Sequence, residues 1–144
     1  MTDEQYMNLA LLEARKAIEE NEVPVGAIVV FDGNIVGKGH NGREAKLDVS
    51  SHAEIEAIKD AEKSIGTWEI IGCTLYVTVE PCLMCSGAIL QSKISRLVFG
   101  TTDPTMGAVC SHYGVFDDVT SANRPLVTKG VLEKECANLM LEFF

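Results

Sequence analysis

The chain has no run of about 18 uninterrupted apolar residues, which argues against a membrane-spanning helix. Its opening stretch, MTDEQYMNLALLEARK, carries neither a basic n-region nor a small-residue cleavage site. No secretory signal is read there, and a cytoplasmic address is expected. Internal repeats, low-complexity tracts and Pro/Gly/Ser-rich linkers are absent, so a single domain over 1–144 is expected. Positive charge is scarce. Twelve Lys and Arg face 21 Asp and Glu, a net charge of −9. This argues against holding nucleic acid mainly by bulk phosphate neutralisation. It leaves room for a local basic path, for which Arg43, Lys46, Lys93 and Arg96 are candidates. The cysteines (73, 82, 85, 110 and 136) are odd in number. In a cytosolic chain a close pair reads as metal-binding or redox before it reads as a disulfide.

A 47% hydrophobic content over 144 residues suits a globular protein with a sizeable core. Residues 2–20 read as an amphipathic helix opened by a Thr2–Gln5 capping box. VPVGAIVVF (23–31), DGN and IVGKG (35–39) read as a β-hairpin, followed by an irregular polar stretch over 40–50. Helix is expected over 52–65, with Ser51 and Glu54 forming a second capping box. CTLYVTV (73–79) is a buried strand, and Pro81 suits the first turn of a helix running to about Ser92. RLVFG (96–100), a long loop over 101–124, PLVT (125–128) and a helix over 130–144 complete the chain. Alternating strands and helices point to an α/β fold with a mixed sheet: the hairpin pairs antiparallel, the later strands parallel.

Two stretches carry chemistry. Cys82 and Cys85 are three apart, so both would lie on one face of the helix that Pro81 opens. A helix N-terminus favours thiolate over thiol. Alone, the pair could also be two buried core cysteines or a redox couple. His52-Ala53-Glu54 opens the preceding helix, one strand away. If the two N-termini meet, His52, Cys82 and Cys85 supply three N/S donors, the pattern of a catalytic zinc with an open fourth position. Glu54 beside such an ion has a use as a proton carrier. Cys110 or His112 would close the site if either reached the metal, making it structural. Cys73 and Cys136 read as core, and Trp68 as a core or interface anchor.

His-x-Glu followed by Pro-Cys-x-x-Cys is the signature of zinc-dependent nucleobase deaminases. The chain resembles the cytidine deaminase-like superfamily and, within it, the bacterial tRNA-specific adenosine deaminase family. EVPVGAIVV (22–30), GHNGRE (39–44), HAEIEAI (52–58), TLYVTVEPCLMCSGAI (74–89), SRLVFGTTDPTMGA (95–108) and the closing FF (143–144) all carry that resemblance. It implies a three-layer α/β/α fold with a mixed five-stranded sheet, one zinc per chain and a homodimer. It also implies deamination of the wobble adenosine in a tRNA anticodon loop. By position, His52, Cys82 and Cys85 would hold zinc, and Glu54 would be the catalytic proton shuttle. Asn41 would contact the base, the backbone of Ala53 and Pro81 would line the pocket, and Phe143 and Phe144 would flank loop nucleotides. Deamination of a free nucleobase such as guanine or cytosine is the alternative, and a structural zinc module a third reading.

Overall fold

The computed structural model describes residues 1–118 and 124–144. Helix α1 (Asp3–Glu19) begins where the sequence predicts: Thr2 and Gln5 cap each other reciprocally. The hairpin forms as β1 (Gly26–Phe31) and β2 (Asn34–His40). A four-residue helix, α2 (Arg43–Lys46), lies inside the stretch expected to be irregular, anchored from outside because Glu22 accepts the Glu44 and Ala45 N–H groups. Then follow α3 (Ala53–Ile65), β3 (Thr74–Val79), α4 (Leu83–Ser92), β4 (Arg96–Thr101), a 3₁₀ turn (Val115–Asp118), β5 (Leu126–Lys129) and α5 (Glu133–Phe143). Residues 119–123 of the expected long loop lie outside the described residues.

The sheet runs β2-β1-β3-β4-β5. β1 is antiparallel to both neighbours, while β3, β4 and β5 are parallel. The expected mixed five-stranded sheet is thus observed. The two-residue period of the strands divides the core into two layers. Ala27, Val29, Leu75, Val77, Leu97 and Phe99 face α3 and α4, joining Ala53, Ala57, Ala61 and Ile89. Ile28, Val30, Tyr76 and Val98 face α1 and α5, joining Met7, Ala10, Ala14 and Leu139. Cys73 and Cys136 are core residues, as expected. Trp68 is not: it is 60% exposed, with the Lys93 ammonium 5.8 Å from its ring centre.

Two sequence expectations fail locally. The Ser51–Glu54 capping box does not form; His52 is the N-cap of α3 and caps nothing with its side chain. Pro81 does not open α4 either. The helix starts at Leu83 with Cys82 as its N-cap, so Cys82 lies just ahead of the helix and only Cys85 lies within it.

The seating of α3 decides where the site falls. Its alanine stripe rests on β2, where Gly37 and Gly39 face it. A methyl group on Gly39 would overlap the Ala53 carbonyl oxygen and stand 2.6 Å from the Ala57 nitrogen. Glycine is required here for close backbone approach. Gly39→Ala is therefore expected to destabilise the protein by about 1–3 kcal/mol, the usual range for overpacking. An unchanged urea midpoint would show that α3 does not depend on this contact.

Candidate metal centre and active site

Helices α3 and α4 cover the same face of the sheet, and their N-termini meet. Each is preceded by a residue in extended backbone: His52 at φ −91° and ψ 154°, Cys82 at φ −77° and ψ −179°. Neither side chain turns back to cap its own helix, so both are available ahead of the helix ends. His52 Nδ1 lies 3.4 Å from Cys85 Sγ and 3.6 Å from Cys82 Sγ. The three donor atoms all lie within 4.8 Å of one another.

The donors fit zinc. Bond lengths of about 2.3 Å to sulfur and 2.0 Å to nitrogen, set tetrahedrally, separate neighbouring donors by about 3.5–3.8 Å. One imidazole nitrogen and two sulfurs match the chemistry of that ion. Among the described residues no further His, Cys, Asp or Glu joins the cluster. Cys110 and His112 are exposed and outside it, so they do not close the site. Three protein donors with one direction left open are the pattern of a catalytic centre, not a structural one.

Without metal, the donors divide a proton unevenly. The hydrogen bond from the Cys85 thiol, aided by His52, draws Cys82 down to about 4. As donor in that bond, and desolvated, Cys85 is pushed far up. The bond to Cys82 raises His52. Glu54 is 4% exposed, and burial pushes its carboxyl up to about 7. A divalent cation reverses the shifts of Cys85, His52 and Glu54 and reinforces that of Cys82, because its charge favours the deprotonated form of each.

The site opens on a cavity of about 630 Å³, within the range of small-molecule sites. His52, Glu54 and Cys82 line it together with Asn41 and Arg43. Thr101–Met106 form a second side, and Ala137, Met140, Leu141 and Phe144 a third. Asn41 does what Ser51 was expected to do: its Oδ1 accepts the Ala53 N–H at 2.9 Å, capping α3 from outside the helix. Ser51 Oγ is buried without a hydrogen-bond partner. Ala53 and Pro81 lie beside the ligand residues with backbone groups already engaged, Ala53 N–H by Asn41 and the Pro81 carbonyl by Ala108 N–H at 2.9 Å. Phe143 packs edge-on against Phe144, ring centres 5.1 Å apart, and only Phe144 lines the cavity.

The candidate basic path is mostly paired internally. Lys46 pairs with Glu56, Lys93 with Glu69 at 2.6 Å, and Arg96 with Asp3 at 2.7 Å. Arg43 remains, lining the cavity. Sequence reasoning did not find Glu80, Met140, Leu141 or the Thr101–Met106 wall. Met140 and Leu141 follow an ordinary helical pattern, and Glu80 makes its contacts 23 to 31 residues away.

A three-donor metal centre with a buried carboxylate, set on a three-layer α/β/α fold, defines a zinc-dependent deaminase. Residues 1–101 match the family described as the cytidine and deoxycytidylate deaminase zinc-binding region. The tRNA-specific adenosine deaminase of Haemophilus influenzae is 46% identical over 143 residues, covering 99% of this chain and 83% of that protein. That of Bacillus subtilis is 42% identical, covering 99% and 88%. A solved structure from a study of A-to-I editing by tRNA:A34 deaminases superposes with a TM-score of 0.90 at 42% identity, covering 94% of this chain and 98% of that one. The chain belongs to the tRNA-specific adenosine deaminase family of the cytidine deaminase-like zinc deaminases.

The uneven thiols make a check on the centre. In metal-free protein at pH 6, iodoacetamide is expected to modify Cys82 well before Cys85, because Cys82 is the thiolate. Added zinc should protect both. Peptide mapping that found equal labelling, or no protection by zinc, would count against this donor set.

Proposed function

We propose that the chain hydrolyses adenosine to inosine at the wobble position of a tRNA anticodon loop, releasing ammonia. In this reading residues 1–144 act as one deaminase domain, in the cytoplasm and as a homodimer. The observation that carries the reading is the three-donor centre, with Glu54 beside it, opening on a cavity walled by the C-terminal helix and by Phe144, which follows it.

His52, Cys82 and Cys85 would hold zinc, which when bound would supply Lewis acidity toward water near neutral pH. Glu54 takes one proton from the attacking water and delivers it to the ring nitrogen of the base, then takes the proton of the newly added hydroxyl and gives it to the departing amine, which leaves as ammonia. Its burial beside the donors keeps bulk water from competing for those protons. Asn41, anchored through Oδ1, offers its amide N–H₂ to the base. The backbone at Ala53 and Pro81 holds the ligand turns in register at the base. Phe144, 80% exposed, and Phe143 flank neighbouring nucleotides, for which aromatic faces are general partners. Arg43 meets a phosphate at the cavity rim.

The homodimer is supported by a groove of about 580 Å³ between α3 and α4. Trp68 (60% exposed), in the connection that follows α3, and Leu83 (48%) and Met84 (37%), in the first turn of α4, edge it as an apolar strip. Light scattering is expected to give twice the 15.6 kDa of one chain. A mass near one chain at micromolar concentration would remove the dimer.

The zinc-loaded protein should convert the wobble adenosine of an anticodon stem–loop to inosine and leave free adenine, guanine, cytosine and cytidine untouched. Ammonia from a free base, with the stem–loop intact, would move the chain to small-molecule chemistry. Glu54→Ala should keep its zinc and lose about 10²–10⁴-fold in kcat, the usual contribution of a general acid–base. Loss of metal, or near-normal turnover, would contradict the role given to Glu54.

A further inference from the structure

Glu80 is 3% exposed and stands two residues before Cys82, yet it is neither a metal donor nor a core hydrophobe. Its carboxylate is surrounded by donors from one loop. Oε2 accepts three consecutive backbone N–H groups, from Val109 at 3.1 Å, Cys110 at 2.8 Å and Ser111 at 3.0 Å. Oε1 accepts the Asp103 N–H at 3.1 Å and the Ser111 hydroxyl. Successive N–H groups converging on one point form an anion-binding nest; here the anion is a side chain of the same protein.

The loop so held is a cavity wall. Asp103, Pro104, Thr105 and Met106 line the cavity. The Asp103 side chain then takes the Thr105 and Met106 N–H groups at 3.0 and 3.2 Å, and its carbonyl takes Gly107 N–H at 2.8 Å. A further tie joins the loop to the metal-binding turn, from Ala108 N–H to the Pro81 carbonyl. Gly107 completes the arrangement: a Cβ there would overlap the Glu80 carboxyl and the Asp103 carbonyl oxygen.

We propose that Glu80 is a positioning residue for the deamination: its carboxylate clamps loop 103–111 to the Pro81–Cys82 turn and so sets the distance between the cavity wall and the metal centre. The wall belongs to the surface that receives substrate. Glu80 therefore acts on how substrate is held, through the loop, and not on the proton transfers. The kinetic half of this inference rests on the tRNA reading above; the structural half does not.

The test uses the full zinc-loaded chain. Glu80→Gln keeps shape and reach but turns one carboxylate oxygen into an N–H₂ group facing other donors. Amide exchange of Asp103, Val109, Cys110 and Ser111 should accelerate by about tenfold or more, with β1 and α1 unchanged, as expected for a local opening. The KM for the stem–loop should rise by roughly tenfold while kcat falls much less, the mark of lost binding rather than lost chemistry. Gly107→Ala, which places a methyl group against the same carboxylate, should give the same KM-weighted defect. Normal loop exchange in Glu80→Gln would overturn the clamp. A fall in zinc content, melting temperature and kcat with KM unchanged would also overturn it, by making Glu80 merely a support for the donor turn. Should Glu80→Gln not fold, Ser111→Ala removes one contact at an exposed residue, and unchanged exchange at Asp103 there would overturn the proposal. If the wild-type chain leaves the stem–loop untouched, the tRNA reading fails, while the exchange measurement still decides whether Glu80 holds the loop.

Discussion

Two helix N-termini have to face each other closely enough for His52 Nδ1 to stand within 3.6 Å of both cysteine sulfurs. The rest of the structure serves that meeting. A helix N-terminus leaves backbone N–H groups unpaired and carries partial positive charge, so it suits thiolates and carboxylates. The N-cap residue ordinarily satisfies one of those N–H groups. Here both N-cap positions are occupied by metal donors, and neither caps its helix. The lost capping on α3 is restored by Asn41, delivered from the end of β2. Asn41 reaches Ala53 because Gly37 and Gly39 let α3 lie directly on that strand. Hairpin, glycines, cap and donor thus form one chain of dependence.

The sequence pattern Ser/Thr-x-x-Glu/Gln occurs at Thr2–Gln5 and at Ser51–Glu54, and only the first becomes a capping box. The difference is tertiary. At α1 the nearest partner is local and exposed. At α3 the Asn41 side-chain Oδ1, twelve residues away, accepts the first N–H, and Glu54 is drawn beside the metal donors. Strand and helix positions were legible because hydrophobic periods of 2 and 3.6 are local properties. The zinc donors were legible because their spacing is a motif. The basic path was not, since Lys46, Lys93 and Arg96 find their acids on other elements. Glu80 was not, because its partners lie in a loop with no periodicity.

A net charge of −9 and one cation lining the cavity leave little scope for recognition through phosphates alone. Ionic contacts of that kind weaken steeply with salt. The cavity offers another route. Val23, Val25, Met140, Leu141 and Phe144 give it apolar surface, while Asn41 and the Thr101–Asp103 stretch give it polar contacts. Burying a planar base against such walls is nearly indifferent to ionic strength, and a few fixed donors supply orientation. An acidic chain can accept a nucleic-acid substrate if it captures an extruded base and holds only a short stretch of backbone.

Glu54 and Glu80 flank the donor turns with almost equal burial, 4% and 3% exposed, and their proton affinities move in opposite directions. Burial alone raises a carboxyl, because the low-dielectric interior disfavours charge. That effect dominates at Glu54, which is pushed up to about 7. It acts on Glu80 as well, but the N–H groups of Cys110, Asp103 and Ser111 and the Ser111 hydroxyl outweigh it and hold Glu80 below the usual range. A carboxylate surrounded by donors is a fixed anion, suited to clamping a loop and unsuited to exchanging protons. One with few donors, beside a metal, can gain and lose a proton near neutral pH. The two glutamates differ because burial prevails at Glu54, whereas the N–H groups aimed at Glu80 outweigh it, a property of the surrounding structure rather than of the residue type.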